Sequence, residues 1–145
     1  MNQLTVTIDL EDYTAGLTGK LDLNGFSGYG EGWFNLSEIE NFCDSLEQVV
    51  NKVEGTTKLI AGQRNLDGSE YLERLGLRCS VIAKTGVFSI HISLSDYPYT
   101  GCRPEEIRKI TGEIKADTRK VLNFVSQLRK LCIGKNTEAI LVANG

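Results

Sequence analysis

Asn24-Gly-Phe-Ser-Gly-Tyr-Gly-Glu-Gly-Trp-Phe-Asn35 places four of the chain's 15 glycines and four of its 11 aromatic residues within twelve positions. Read as a strand from Phe26 to Phe34, its period of two sends Phe26, Gly28, Gly30, Gly32 and Phe34 to one face. Ser27, Tyr29, Glu31 and Trp33 go to the other. A bare glycine face is found where another element or a ligand approaches the backbone closely, and glycines of this density also predict a bulged or bent strand. A helix, another strand or a ligand is the expected neighbour.

Working outward, Leu4, Val6, Ile8 and Leu10 alternate with Thr5, Thr7 and Asp9 as in a half-buried strand. Leu17, Leu21 and Leu23 repeat the pattern, so residues 4–34 read as a hairpin followed by the glycine-rich third strand. Asn35 then opens a helix over about 36–53. Its side chain is an N-cap, Glu38 stands at the capping-box position, and Phe34 and Ile39 form a hydrophobic staple. Apolar residues from Leu36 to Val53 keep a 3.6 period up to Gly55.

Residues 58–94 read as three further strands, Lys58–Ala61, Leu72–Ala83 and Val87–Leu94, with turns at Asp67-Gly68 and Thr85-Gly86. In the last of these Phe88, Ile90, Ile92 and Leu94 share a dry face, while Val87, Ser89, His91 and Ser93 share a wetter one. After a loop at 95–101, Pro104, Glu105 and Glu106 carry the marks of a helix start, and Ile107, Ile110, Ile114, Val121, Val125, Leu128 and Cys132 fit one helix over 104–133. Glu138–Ala143 is either a short edge strand or a tail. No internal repeat is visible. The expectation is a single α+β domain over 1–145, with an antiparallel sheet of about six strands and two helices packed on one face.

Composition bounds the function. The chain has 145 residues, 41% of them hydrophobic and 24% charged, in the normal range for one globular domain. No apolar run is long enough to span a membrane, and the first residues lack the basic start and apolar core of a signal peptide, so a cytoplasmic protein with no membrane partner is expected. The net charge of −3 is uneven. Residues 1–102 hold 7 Lys/Arg against 14 Asp/Glu, and residues 103–135 hold 9 against 4. The acidic portion suits a basic partner. Nucleic acid does not suit a chain of pI near 5.2 whose basic residues are not interleaved with aromatics.

Cys43, Cys79, Cys102 and Cys132 have no metal-ligand spacing and only one histidine to assist them, so neither a metal nor a cofactor is expected. Three of the thiols fall in apolar patterns, and Cys102, beside Arg103 in a loop, is the one open to reaction. That single histidine, His91, lies between Ser89 and Ser93 on a polar strand face. Gly28-Tyr-Gly-Glu-Gly32 lacks the Lys-Ser/Thr of a phosphate loop. Glu31 between Tyr29 and Trp33 suits recognition of a sugar or a cation, because rings stack on apolar sugar faces and attract cations. Glycoside hydrolysis would need a second carboxylate, and the sequence does not select Asp22 or Asp96 for it. Tyr29, Glu31, Trp33 and His91 are therefore binding candidates, with no catalytic set.

The run Gly25–Phe42, followed by Leu77–Ile92, resembles small bacterial proteins that accompany contact-dependent toxins, among them wall-associated-toxin immunity proteins. The shared pattern is an aromatic-glycine strand ending in Trp-Phe, a helix with Phe at its centre, a hairpin turning at Gly and a C-terminal helix. The resemblance implies a non-catalytic protein that binds and neutralises a cognate toxin, and it transfers no site residue. A small-ligand or carbohydrate-binding module built on Tyr29, Glu31 and Trp33 is the alternative expectation.

Overall fold

The computed structural model describes residues 2–64, 70–96 and 103–144. Its elements run β1 (Gln3–Leu10), β2 (Thr14–Leu23), β3 (Phe26–Asn35), α1 (Leu36–Lys52), β4 (Thr56–Arg64), β5 (Glu70–Ala83), β6 (Val87–Ser95), β7 (Lys109–Asp117), α2 (Thr118–Cys132) and β8 (Ala139–Val142). The fold is α+β with two helices, as expected. The sheet is not single: two antiparallel four-stranded sheets form, ordered β3-β2-β1-β8 and β4-β5-β6-β7.

The reason lies in the glycine face. A Cβ added at Gly28 would stand 2.8 Å from Cγ2 of Ile110 in the other sheet, and one at Gly32 would stand 2.6 Å from Cβ of Ala61. At Gly30 it would overlap the Arg74 carbonyl oxygen and crowd the Ser95 amide. The missing side chains thus let β3 lie against the backbone of the second sheet. A helix does not fill that space. β3 is also unbulged, pairing with β2 in continuous register from Leu23↔Phe26 to Thr14↔Asn35. The irregularities fall instead between β4 and β5 and between β5 and β6.

The inward residues Leu4, Val6, Leu17, Leu21 and Phe34 of one sheet share a single core with Leu75, Leu77, Phe88, Ile90, Ile92, Leu94 and Ile114 of the other. Phe26, expected beside Phe34, is instead exposed at the strand end. Each helix packs on both sheets, α1 against β3, β4 and β5 and α2 against β1, β7 and β8, and the helices pack on each other. Arg129 of α2 ties them by donating to Glu47 at 2.6 Å and Asp44 at 2.9 Å.

Two helix starts explain much of the chain's course. At α1, Glu38 accepts the Asn35 amide at 2.9 Å, and Phe34 and Ile39 are both buried, as the staple requires. The second helix does not begin at Pro104. Pro104–Glu106 is a single 3-10 turn, and the segment that follows is β7, on which Ile110, Gly112, Ile114 and Ala116 face inward with a period of two. Only at Asp117, whose carboxylate accepts from the Lys120 amide at 3.0 Å, does α2 start.

The order of elements also contains a repeat that the sequence hides. A meander of three strands, a helix and a strand occurs twice, as β1-β2-β3-α1-β4 and β5-β6-β7-α2-β8. Each closing strand joins the other meander's sheet, β4 beside β5 and β8 beside β1. The turn expected at Asp67-Gly68 lies outside the described residues, as do Cys102 and most of the loop at 95–101.

Candidate functional site

Because β3 turns its glycines inward, its odd-numbered residues stand on the outer face of the first sheet. Cross-strand register assembles this face row by row: Asp9, Gly16 and Trp33; Thr7, Thr18 and Glu31; Thr5, Lys20 and Tyr29. Tyr29 and Trp33, four residues apart, are separated by about 13 Å along the strand. Tyr29 is 71% exposed and Trp33 47%.

Trp33 is the more restrained because its indole lies across Gly16, where an added Cβ would be 2.9 Å from Cε2 and Cζ2 of the ring. Glycine at 16 is thus the seat of the tryptophan. Glu31 is held from the other sheet: the Arg74 guanidinium, mostly buried, approaches it at 3.5 Å. Arg74 lies where the register of β4 and β5 shifts, Ala61 facing Leu75 and Gly62 facing Glu73. At one end of the face stand Glu11, Asp12 and Tyr13, the last 84% exposed and both acids of the turn open to solvent with it. The face is therefore aromatic, open and acidic.

At the opposite end, Tyr29 borders a crevice of about 210 Å³ with Ser27, Asp96, Arg108 and Ile110. Asp96 accepts from Arg108 Nε at 2.8 Å and from the Arg108 amide at 3.1 Å. The Arg108 side chain, and then its amide, hold the Asp96 carboxyl below its ordinary range.

The structure thus brings Tyr29, Glu31 and Trp33 together and leaves His91 apart. His91 stands on the outer face of the second sheet, between Arg78 and Glu113. Sequence reasoning missed Gly16, Arg74 and Tyr13. Tyr13 had a signal, since a hairpin with the β1–β2 register puts its turn beside Asn35, whereas Arg74 reaches Glu31 from the other sheet and has no local mark.

The three described thiols, Cys43, Cys79 and Cys132, are buried. Burial, and to a lesser extent the neighbouring Cys132, pushes Cys43 up to about 12, and burial pushes Cys79 up to about 11. Such thiols pack and do not react. Among the described residues no helix is long and apolar enough to cross a membrane. No protein family, curated protein or solved structure matches the chain.

Proposed function

We propose that this protein is a non-catalytic binding protein whose partner is a basic protein surface, in keeping with the toxin-neutralising role that the resemblance implies. The observation that carries it is the distribution of exposed apolar groups. Of seven large hydrophobic residues exposed among the described ones, Tyr13, Phe26, Tyr29 and Trp33 lie on β3 or at the turns of the hairpins leading to it. Clustered exposed aromatics mark interaction sites, and Tyr and Trp dominate binding hot spots.

Asp9, Glu11, Asp12 and Glu31 around them select for positive charge, and a cation set on the Trp33 ring beside Asp9 gains from both the ring and the carboxylate. The acidic surround would also steer a basic partner toward the face. A sugar would use the same rings as a stacking platform and would need no such steering.

The test is co-expression and binding with the product of the neighbouring gene, which this reading expects to be a secreted toxin with a basic domain. Trp33→Ala and Tyr29→Ala should each weaken binding about 30-fold, the equivalent of about 2 kcal/mol, with folding retained. The wild-type association rate should fall as salt rises. Folded variants that bind as wild type would overturn this reading, and a salt-independent affinity for oligosaccharides would replace it with the carbohydrate one.

A further inference from the structure

The outer face of the second sheet, turned away from Tyr29 and Trp33, carries a different chemistry. Register aligns Lys58, Arg78, His91 and Glu113 in one row across all four strands. Thr56, Ser80, Ser89 and Lys115 form the next row. Several of these groups are already committed. Arg78 donates through both terminal nitrogens to Glu73, Nη1 at 2.9 Å from Oε2, and Glu113 accepts from Ser89 Oγ at 2.8 Å. The side chains of Lys58 and His91 make no hydrogen bond or ion pair with a described residue. Between them lies a depression of about 530 Å³ bordered by Thr56, Lys58, Arg78, Ser80 and His91.

We infer that this depression is an oxyanion site that takes a phosphoryl group, with Lys58, His91 and the hydroxyls of Thr56 and Ser80 as donors. Neighbouring strands lie about 4.8 Å apart. Donors from β4, β5 and β6 thus border one depression, and a tetrahedral anion offers them four oxygens where a carboxylate offers two. Lys58 and Arg78 are opposed across β4 and β5, and an anion beside them offsets the repulsion of like charges. The acid beside the depression registers the local field. Glu73 is held below the ordinary carboxylate range, chiefly by its hydrogen bond from Arg78 and further by His91 and Lys58. Glu73 is paired with Arg78 and Glu113 does not border the depression, so the charge there without an ion-pair partner is that of Lys58. This site is independent of the aromatic face.

The experiment titrates inorganic phosphate, and separately glycerol phosphate, into the isotope-labelled full chain at constant ionic strength, with chloride as control. Saturable amide shifts are expected at Lys58, Arg78, Ser80 and His91. Lys58→Gln and His91→Ala should each raise the dissociation constant about tenfold, as loss of a hydrogen-bond donor to a charged group does, whereas Trp33→Ala should leave it unchanged. Binding of both compounds identifies a phosphomonoester and binding of phosphate alone the free ion, either supporting the site. Shifts that do not saturate, that chloride reproduces, or that persist at the same dissociation constant in both folded variants would overturn it.

Discussion

The two halves of the molecule run through the same turn of structure twice, and the positions at which they agree differ in kind from those at which they diverge. Counted from the caps Asn35 and Asp117, the strand before each helix has glycine five residues back, Gly30 and Gly112, and glutamate four back, Glu31 and Glu113. Each helix then carries Asn-Phe in its second turn, Asn41-Phe42 and Asn123-Phe124, with both rings buried. Where the inward pair is Ala15 opposite Phe34 in the first half, it is Phe88 opposite Ala116 in the second, so one ring and one methyl fill each site from opposite strands. Apart from that glutamate, the outward positions diverge. Tyr29 and Trp33 correspond to Thr111 and Lys115, aromatic in one half and polar or basic in the other. Packing holds the inner faces alike, and the outer faces are where the halves have acquired different surfaces.

The sharpest break in that likeness is the pair of glycines. At Gly30 an added side chain meets the backbone of Arg74 and Ser95, which cannot move aside; at Gly112 it meets Cδ1 of Leu23, the far end of a flexible side chain. Gly30→Val should therefore abolish cooperative unfolding in urea, while Gly112→Val should keep it at a loss of about 1–3 kcal/mol. Equal losses would show that the two sheets meet alike at both strands. The equivalence of the helices is tested by Phe42→Ala and Phe124→Ala, each expected to cost about 3–5 kcal/mol in urea titrations. A cost confined to one would break the repeat.

The smallest effect concerns the outer face of the second half. Glu73 has a folded value lowered by Arg78, so its contribution is present above the ordinary glutamate range near pH 4.3 and is lost as pH falls through that range and the lowered value. Glu73→Gln should flatten the acid side of the stability curve by less than about 1 kcal/mol, with the two proteins converging at low pH. The check is thermal unfolding from pH 7 to pH 3.

The helix at 36–52 was legible because its signals are local: a cap at Asn35, an acid at Glu38, and apolar residues that keep one period. The strands of residues 4–34 and the dry and wet faces of β6 were legible for the same reason. β7 was not, because Ile110 and Ile114 are four apart, a spacing that fits a helix turn and a strand face equally, and Pro104-Glu-Glu marks a turn as readily as a helix start. The division into two sheets depends on what opposes Gly28, Gly30 and Gly32, and those partners, Ile110, Arg74, Ser95 and Ala61, are remote in sequence. The repeat escaped notice since packing preserves it through shape, with Phe and Ala exchanged across strands, and few identities survive. At the site, alternation alone put Tyr29, Glu31 and Trp33 on one face. The seat on Gly16 and the arginine behind Glu31 required register.

The crossing of closing strands also governs how the chain can assemble. The first sheet gains its fourth strand only when residues 139–142 are available to lie along residues 3–6, and the second needs residues 56–64 from beyond the first helix. The second sheet joins strands that follow one another in sequence, β4 to β7, whereas the first closes only through the long-range pairing of β8 with β1, the kind of contact that slows folding. The same crossing ties both ends of the described chain together, with the Ala143 amide donating to the Asn2 carbonyl at 3.0 Å. The two halves unfold as one body, and a proteolytic cut between them would release neither.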